Sequence, residues 1–265
     1  MTGLLPFWRS KSSLKRGAKQ STQKTARISP STANFFDPED SRIYYKFSNR
    51  AKRISLRVHP SDRQVTVIVP SARALPKAKA FVAEKMDWIN VQLEGLPQPQ
   101  PFYDGGPLLF EGELYEVIMP SPHGRAKIDR DARQIIIPAT PDTLSGRGHR
   151  LLKREARAAL ESASNIYADI LGKQVAKISI RDSRTRWGSC ISRQGEGYIS
   201  YSWRLICAPP FVLDYVCAHE CAHMIHPDHS ADFWALTEEI FPETKTAKAW
   251  LRKNGAQLHA VGADV

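Results

Sequence analysis

From residue 44 the chain alternates apolar and polar positions. In RISLRVHP the side chains Ile54, Leu56 and Val58 fall on one side, and QVTVIVP follows after Pro60, Ser61 and Asp62. Successive strand side chains point to opposite faces, so this pattern with a turn-forming triplet predicts a β-hairpin. The spacing then changes. Between Leu75 and Leu93, Phe81, Val82, Met86, Trp88, Ile89 and Leu93 recur at helical intervals, with Pro76 early enough for a first turn, which predicts a helix lying on the hairpin. The Pro-rich LPQPQP at 96–101 reads as a linker, and LLFEGELYEVIMP and RQIIIPAT behind it read as further small strands. From Thr143 to Leu171 the apolar residues again follow three-and-four spacing, from Leu151 and Leu152 through Leu160 to Ile170, and Gly172 supplies a stop. A long amphipathic helix is expected there. KISIR at 177–181 and YISYSWRLICAP at 198–209 predict two strands on either side of RTRWGSC, and Pro209-Pro210 opens another helix that Pro227 should end near His226.

The expected fold class is therefore α+β: a tail at 1–40, a β-rich N-terminal domain at 41–140, and a domain at 141–258 built from a long helix, a small antiparallel sheet and a second, chemistry-bearing helix. A chain of 265 residues, 42% of them hydrophobic, is long enough for such a core. The segment before Asp37 is rich in Ser, Thr, Lys and Arg and has no acidic residue. It buries too little apolar area to offset ordering entropy and is expected to be disordered. No uninterrupted apolar run approaches the roughly 18 residues of a membrane span, so no membrane association is expected. The formal charge of +11 suits weak nucleic-acid association through a basic surface, although charge alone names no partner. Cys190, Cys207, Cys217 and Cys221 lack the spacing of a disulfide framework. That favours a cytoplasmic protein with core thiols.

The chemistry concentrates in FVLDYVCAHECAHMIH, from Phe211. Here His219, Glu220 and His223 form H-E-x-x-H. Residues four apart on a helix share a face, so two imidazoles can reach one zinc ion at roughly 2.0–2.1 Å. Glu220 can then reach a metal-bound water without ligating the metal. Zinc with three protein ligands keeps a place for water and lowers its pKa, and a neighbouring carboxylate serves as general base. The third ligand should follow the helix. His229, past Pro227, is the favoured candidate, and His226 at the helix end is its competitor. The spacing of His219, His223 and His229 equals that of the metzincin motif, in which a glycine occupies the place of His226. His59, His123 and His149 stand isolated in the sequence.

RWGSC at 186–190, SWRLICAPPFVLDYVCAHECAH at 202–223 and HSADFW at 229–234 together resemble the YgjP-like metal-dependent hydrolases, which are grouped with zinc metallopeptidases. The hairpin and Trp88-Ile89 extend the similarity over most of 44–255. The resemblance implies a zincin-like catalytic unit, with His219, His223 and His229 as zinc ligands and Glu220 as catalytic acid/base, and leaves the physiological substrate open. The leading reading, a zinc-dependent hydrolase of the peptidase type, expects a peptide or protein substrate. A looser similarity runs to SprT-type proteases, which act on DNA-bound proteins.

Further residues are candidates for the surroundings of the site. Arg184, Arg186, Tyr198, Tyr201 and Arg204 precede the metal helix and are placed to border a cleft. Trp187, Phe233 and Trp234 read as core side chains, and Asp232 as a carboxylate that orients a ligand histidine. An extended peptide could add as a strand beside RWGSC or YISYSW. The contrasting reading is a nucleic-acid-associated protein with a structural zinc, in which Cys217, Cys221 or His226 closes the fourth position, or a protease recruited to nucleic acid by its basic tail.

Overall fold

In the N-terminal region a short strand, β1 (Phe35–Phe36), pairs antiparallel with β2 (Ile43–Phe47), which runs parallel to β4 (Gln64–Val69); β3 (Ser55–His59) and β4 form the expected antiparallel hairpin. The computed structural model describes residues 33–60, 62–183 and 185–263. Most of the expected tail therefore lies outside the described residues, and β1 falls at its end. The alternation read from the sequence is realised: Val65, Val67 and Val69 face inward and are fully buried. They pack with Ile43 and Tyr45 against a helical layer. That layer is two helices where one was expected, α1 (Leu75–Glu84) and α2 (Met86–Glu94). The break falls at Lys85, whose N–H is shared between the carbonyls of Phe81 and Val82, both at 3.1 Å. A terminal turn tightened in this way leaves helical geometry for one residue. Ala78, Val82, Ile89 and Leu93 nevertheless all face the same small core.

A second sheet repeats the path of the first. Strand β5 (Pro107–Phe110) is antiparallel to β6 (Glu113–Ile118), β6 is parallel to β8 (Gln134–Ile136), and β7 (Lys127–Asp129) is antiparallel to β8. The strand orders β1-β2-β4-β3 and β5-β6-β8-β7 are thus the same topology used twice. This second sheet belongs to the larger core, where Phe110, Val117, Ile135 and Ile137 join the apolar face of α3 (Pro141–Ile170). The ends of α3 explain its length. Thr140 and Thr143 form a capping box ahead of Pro141. At the other end Gly172 has φ +63°, with bonds from Gly172 to Asp169 and from Lys173 to Ala168 that close a Schellman motif.

A third sheet carries β9 (Gln174–Arg181), β10 (Gly188–Arg193) and β11 (Glu196–Ser202) in the order β10-β11-β9. It was expected to be antiparallel and is mixed: β10 and β11 form a hairpin, but β11 lies parallel to β9. The connection from β9 delivers the chain to the far edge, so β10 is the outer strand. The apolar run after β11 does not continue as strand to Pro209. It turns at Ser202, whose hydroxyl accepts from the Arg204 N–H, into a buried 3-10 segment at Trp203–Cys207.

Helix α4 (Pro210–Ala222) is buried on nearly all sides and contacts α3, β10, α5 (Ala231–Ile240) and α6 (Thr244–Ala260). A helix apolar all round belongs at the centre of a core. No helix among the described residues is long and apolar enough to cross a membrane.

Candidate metal centre

Helix α4 was expected to run to His226 and stops four residues earlier. Met224 N–H bonds to Cys221 O and Ile225 N–H to Ala222 O, at 2.9 and 3.0 Å, so the chain tightens and turns before Pro227. This early turn places the carbonyl of His226 2.9 Å from His223 Nδ1. A carbonyl at Nδ1 fixes the proton there and leaves Nε2 as the lone-pair donor. The loop then returns His229 to the helix. Ser230 caps α5 by accepting from the Phe233 N–H, and His229 Nε2 lies 3.1 Å from His219 Nε2. One ring nitrogen from each of His219, His223 and His229 falls within 4.8 Å of the others, a grouping that could hold a metal ion.

Packing holds these rings in place, and burial lowers the pKa of His219 and, less strongly, of His223. Burial, followed by the neighbouring His223, His229 and Lys248, pushes His219 down to about 3. An unprotonated imidazole is the form that binds a cation. Phe233, fully buried, sits beneath all three rings with centroid distances of 4.9, 4.4 and 4.9 Å. Trp234 stacks on His229 and is itself covered by Lys248, whose Nζ is 3.5 Å from the ring centroid. Phe233 is thus the expected core anchor, whereas Trp234 is only partly buried. The donor set fits a metal: three imidazoles converge, and each offers one nitrogen.

Glu220 lies on the adjoining face of α4, 4% exposed, and its Oε2 has no hydrogen-bond partner among the described residues. Burial pushes its carboxyl up to about 8, with Arg186 opposing that rise. Strand β10 passes close above it. A Cβ placed on Gly188 would come within 2.5 Å of Glu220 Oε1, so only glycine lets the strand approach this closely. Beside these groups opens a cavity of about 550 Å³, walled by Arg186, Gly188, Cys190, Tyr215 and Leu251.

The other residues singled out in the sequence divide sharply. Arg186 and Trp187 line the cavity, and Trp187 also stacks on His259 at 4.9 Å. Arg184 lies outside the described residues. Tyr198 is exposed on β11 under Arg193. Tyr201 points the opposite way, buried and bonded to Ser164 Oγ at 2.9 Å. Arg204 is buried, paired with Asp182 and bonded to the carbonyls of Leu258, His259 and Val261. Neither Tyr201 nor Arg204 borders the cleft, because the turn at Ser202 carries the chain inward. Asp232 is exposed, and the orienting contact at His223 comes from the His226 carbonyl instead. His149 is bonded to Ser145 O and packed against Trp203, and His59 contacts Thr66, both away from the cavity.

All four cysteines are free. The thiols of Cys217 and Cys221 point at the Leu160 and Ser164 carbonyls of α3, on the side of α4 that faces away from the histidines. Tyr215 and Gly188 were missed in the sequence. Tyr215 precedes His219 by one helical turn, which would have put it on the same face; Gly188 sits inside the RWGSC motif, but nothing in that motif marked its approach to Glu220.

An α+β fold in which two imidazoles on one helix meet a third from the following loop, beside a buried carboxylate and an open cavity, defines the class of metal-dependent hydrolases. A family model described as YgjP-like, metallopeptidase domain, matches residues 52–254, and the chain belongs to the YgjP-like family. No curated protein and no solved structure gave a significant match.

Proposed function

We propose that the chain is a zinc-dependent metallopeptidase in which His219, His223 and His229 hold the metal and Glu220 is the catalytic acid/base. The observation that carries this reading is the unpartnered Glu220 carboxylate beside three convergent imidazole nitrogens, at the wall of an open cavity. Buried polar atoms are nearly always satisfied, and an orphan of this kind is where a protein keeps a group for a ligand. A zinc ion there would supply Lewis acidity and bring the pKa of a water towards neutrality.

The remaining steps belong to the protein. Glu220 accepts a proton from the attacking water and returns one to the leaving amine. A carboxyl tuned towards neutral pH is suited to both. The Arg186 guanidinium in the same wall adds positive charge close to the carboxylate. Among the described residues strand β10 is paired on one side only, with β11, and Gly188 and Cys190 lie on the cavity wall. An extended peptide can therefore pair with its open edge and lay a scissile bond along the cavity. Free thiols throughout support a reducing, cytoplasmic setting.

The alternative of a structural zinc needs a fourth protein ligand, and the direction of Cys217 and Cys221 argues against it. The test uses three proteins, each assayed for metal content and for cleavage of an unfolded, labelled protein after zinc loading. Wild type should carry one zinc and cleave. Glu220→Gln should keep the zinc and lose about 10²–10⁴ in rate. His219→Ala should lose both. Equal cleavage by wild type and Glu220→Gln would remove Glu220 from the mechanism.

A further inference from the structure

A second cavity, of about 400 Å³, lies between the outer face of α3 and the segment leading into β7. Among the described residues its walls carry four arginines, Arg125, Arg147, Arg150 and Arg154, and no acidic residue. Like charges do not gather around a shared hollow without cost, so the arrangement asks for a reason. Two of the guanidiniums are held by main chain: Arg147 donates to Gly124 O at 2.6 Å and to Pro122 O at 3.4 Å, and Arg154 to Ala126 O at 3.0 Å. Arg154 also pairs with Glu155, at 3.0 Å. Gly124, at φ +127°, gives the segment the turn that brings its carbonyls to Arg147. For Arg125 and Arg150 the described residues provide no hydrogen bond and no ion pair. The cavity shares no lining residue with the histidine cavity.

We propose that this arginine-lined cavity binds the phosphodiester backbone of a nucleic acid, independently of the peptidase reading. Guanidinium forks match phosphate oxygens two at a time. Four of them present more positive charge than one carboxylate side chain neutralises, whereas a phosphodiester chain brings a fresh charge with every nucleotide. A membrane surface fits less well. Surface-bound segments bury large apolar side chains among the lipids, and none of the exposed large hydrophobic residues lines this cavity. No exposed aromatic side chain lines it either, so the contact reads backbone and not bases. The formal charge of +11 adds a long-range attraction of the same sign.

The experiment measures binding of full-length protein to a fluorescent 20-base-pair DNA duplex by anisotropy, across a salt series. Arg125→Glu/Arg150→Glu removes the two unpaired cations without touching the main-chain-anchored pair. Lys15→Glu/Arg16→Glu makes the same formal charge change in the N-terminal segment. At about 0.1 M salt the first variant should bind at least about tenfold more weakly and show a salt slope smaller by about 2, while the second changes affinity by less than about threefold. Thermal melts of both variants should match wild type. Should the double variant melt lower, Arg150→Gln replaces it, with an expected slope reduction of about 1. Equal losses in the two variants would assign the effect to overall charge and overturn the proposal. So would an absence of duplex binding by wild type, or binding to phosphatidylserine vesicles in place of DNA.

Discussion

Two buried polar clusters lie in the C-terminal half of the fold, and they are finished in opposite ways. Around Arg204 the guanidinium is satisfied: Nε donates to Asp182 at 2.9 Å, Nη1 is shared by the carbonyls of Leu258, His259 and Val261, and the plane lies over Trp203. Burial pushes the Asp182 carboxyl up, and Arg204 more than reverses it, leaving the group below its ordinary value. Around Glu220 the groups are left open. Among the described residues Glu220 Oε2 and His219 Nδ1 have no partner, and two imidazole nitrogens face each other. A guanidinium filled from within the chain ties the end of α6 to the core, even with Trp203 Nε1 and His259 Nδ1 unpartnered beside it among the described residues. An open carboxylate beside convergent imidazoles and a cavity is arranged to take a ligand.

The largest effect should come from breaking the filled cluster. Arg204→Ala strands three carbonyls at the end of α6 and removes the partner of the half-exposed Asp182. It should cost about 3 kcal/mol in denaturant unfolding, where a guanidinium carries several bonds at once. Metal content of the folded fraction should stay at the wild-type value. A smaller effect, of opposite kind, is expected in the open cluster. Gly188→Ala places a methyl group where Glu220 Oε1 lies, and the movable carboxylate must yield. Stability should change little, while hydrolysis falls about 10–100-fold, as expected for a catalytic group displaced by about an ångström.

The third effect vanishes at neutral pH and grows only in acid. His259 is 7% exposed, and burial, with the nearby Arg204 charge, lowers it to about 4. Its folded pKa is below the unfolded value, so the unfolded state binds more protons between the two. The stability it contributes is complete above about pH 6.5 and is lost as pH falls towards about 4. Each pH unit in that window removes at most about 1.4 kcal/mol. His259→Gln should flatten this part of the stability curve measured in denaturant.

Comparison of the clusters also shows what the sequence could reveal. The open cluster was legible because its parts are local. His219, Glu220 and His223 are related by helix geometry, and His229 follows a proline stop. The wall above Glu220 was not legible, because Gly188 is 32 residues away and its role exists only once β10 is laid over α4. Arg204 was misread as a cleft residue for the same reason. Its partners are Asp182, 22 residues before it, and carbonyls 54–57 residues after it, and no local pattern encodes such pairing. The hairpin at 55–69 and the long helix from 141 were legible from their period. Strand direction was not, since alternation is the same for parallel and antiparallel neighbours; hence the mixed order of β9, β10 and β11 and the repeated path of the two N-terminal sheets emerged only in three dimensions.

The central claim, that the open cluster is a metal centre with a vacant catalytic position, is tested most directly by X-ray absorption on the zinc-loaded protein. The account predicts three imidazole nitrogens at roughly 2.0–2.1 Å, a light oxygen scatterer in the fourth place and no sulfur. Sulfur at roughly 2.3 Å, or a fourth imidazole, would mean a closed structural site and would contradict it.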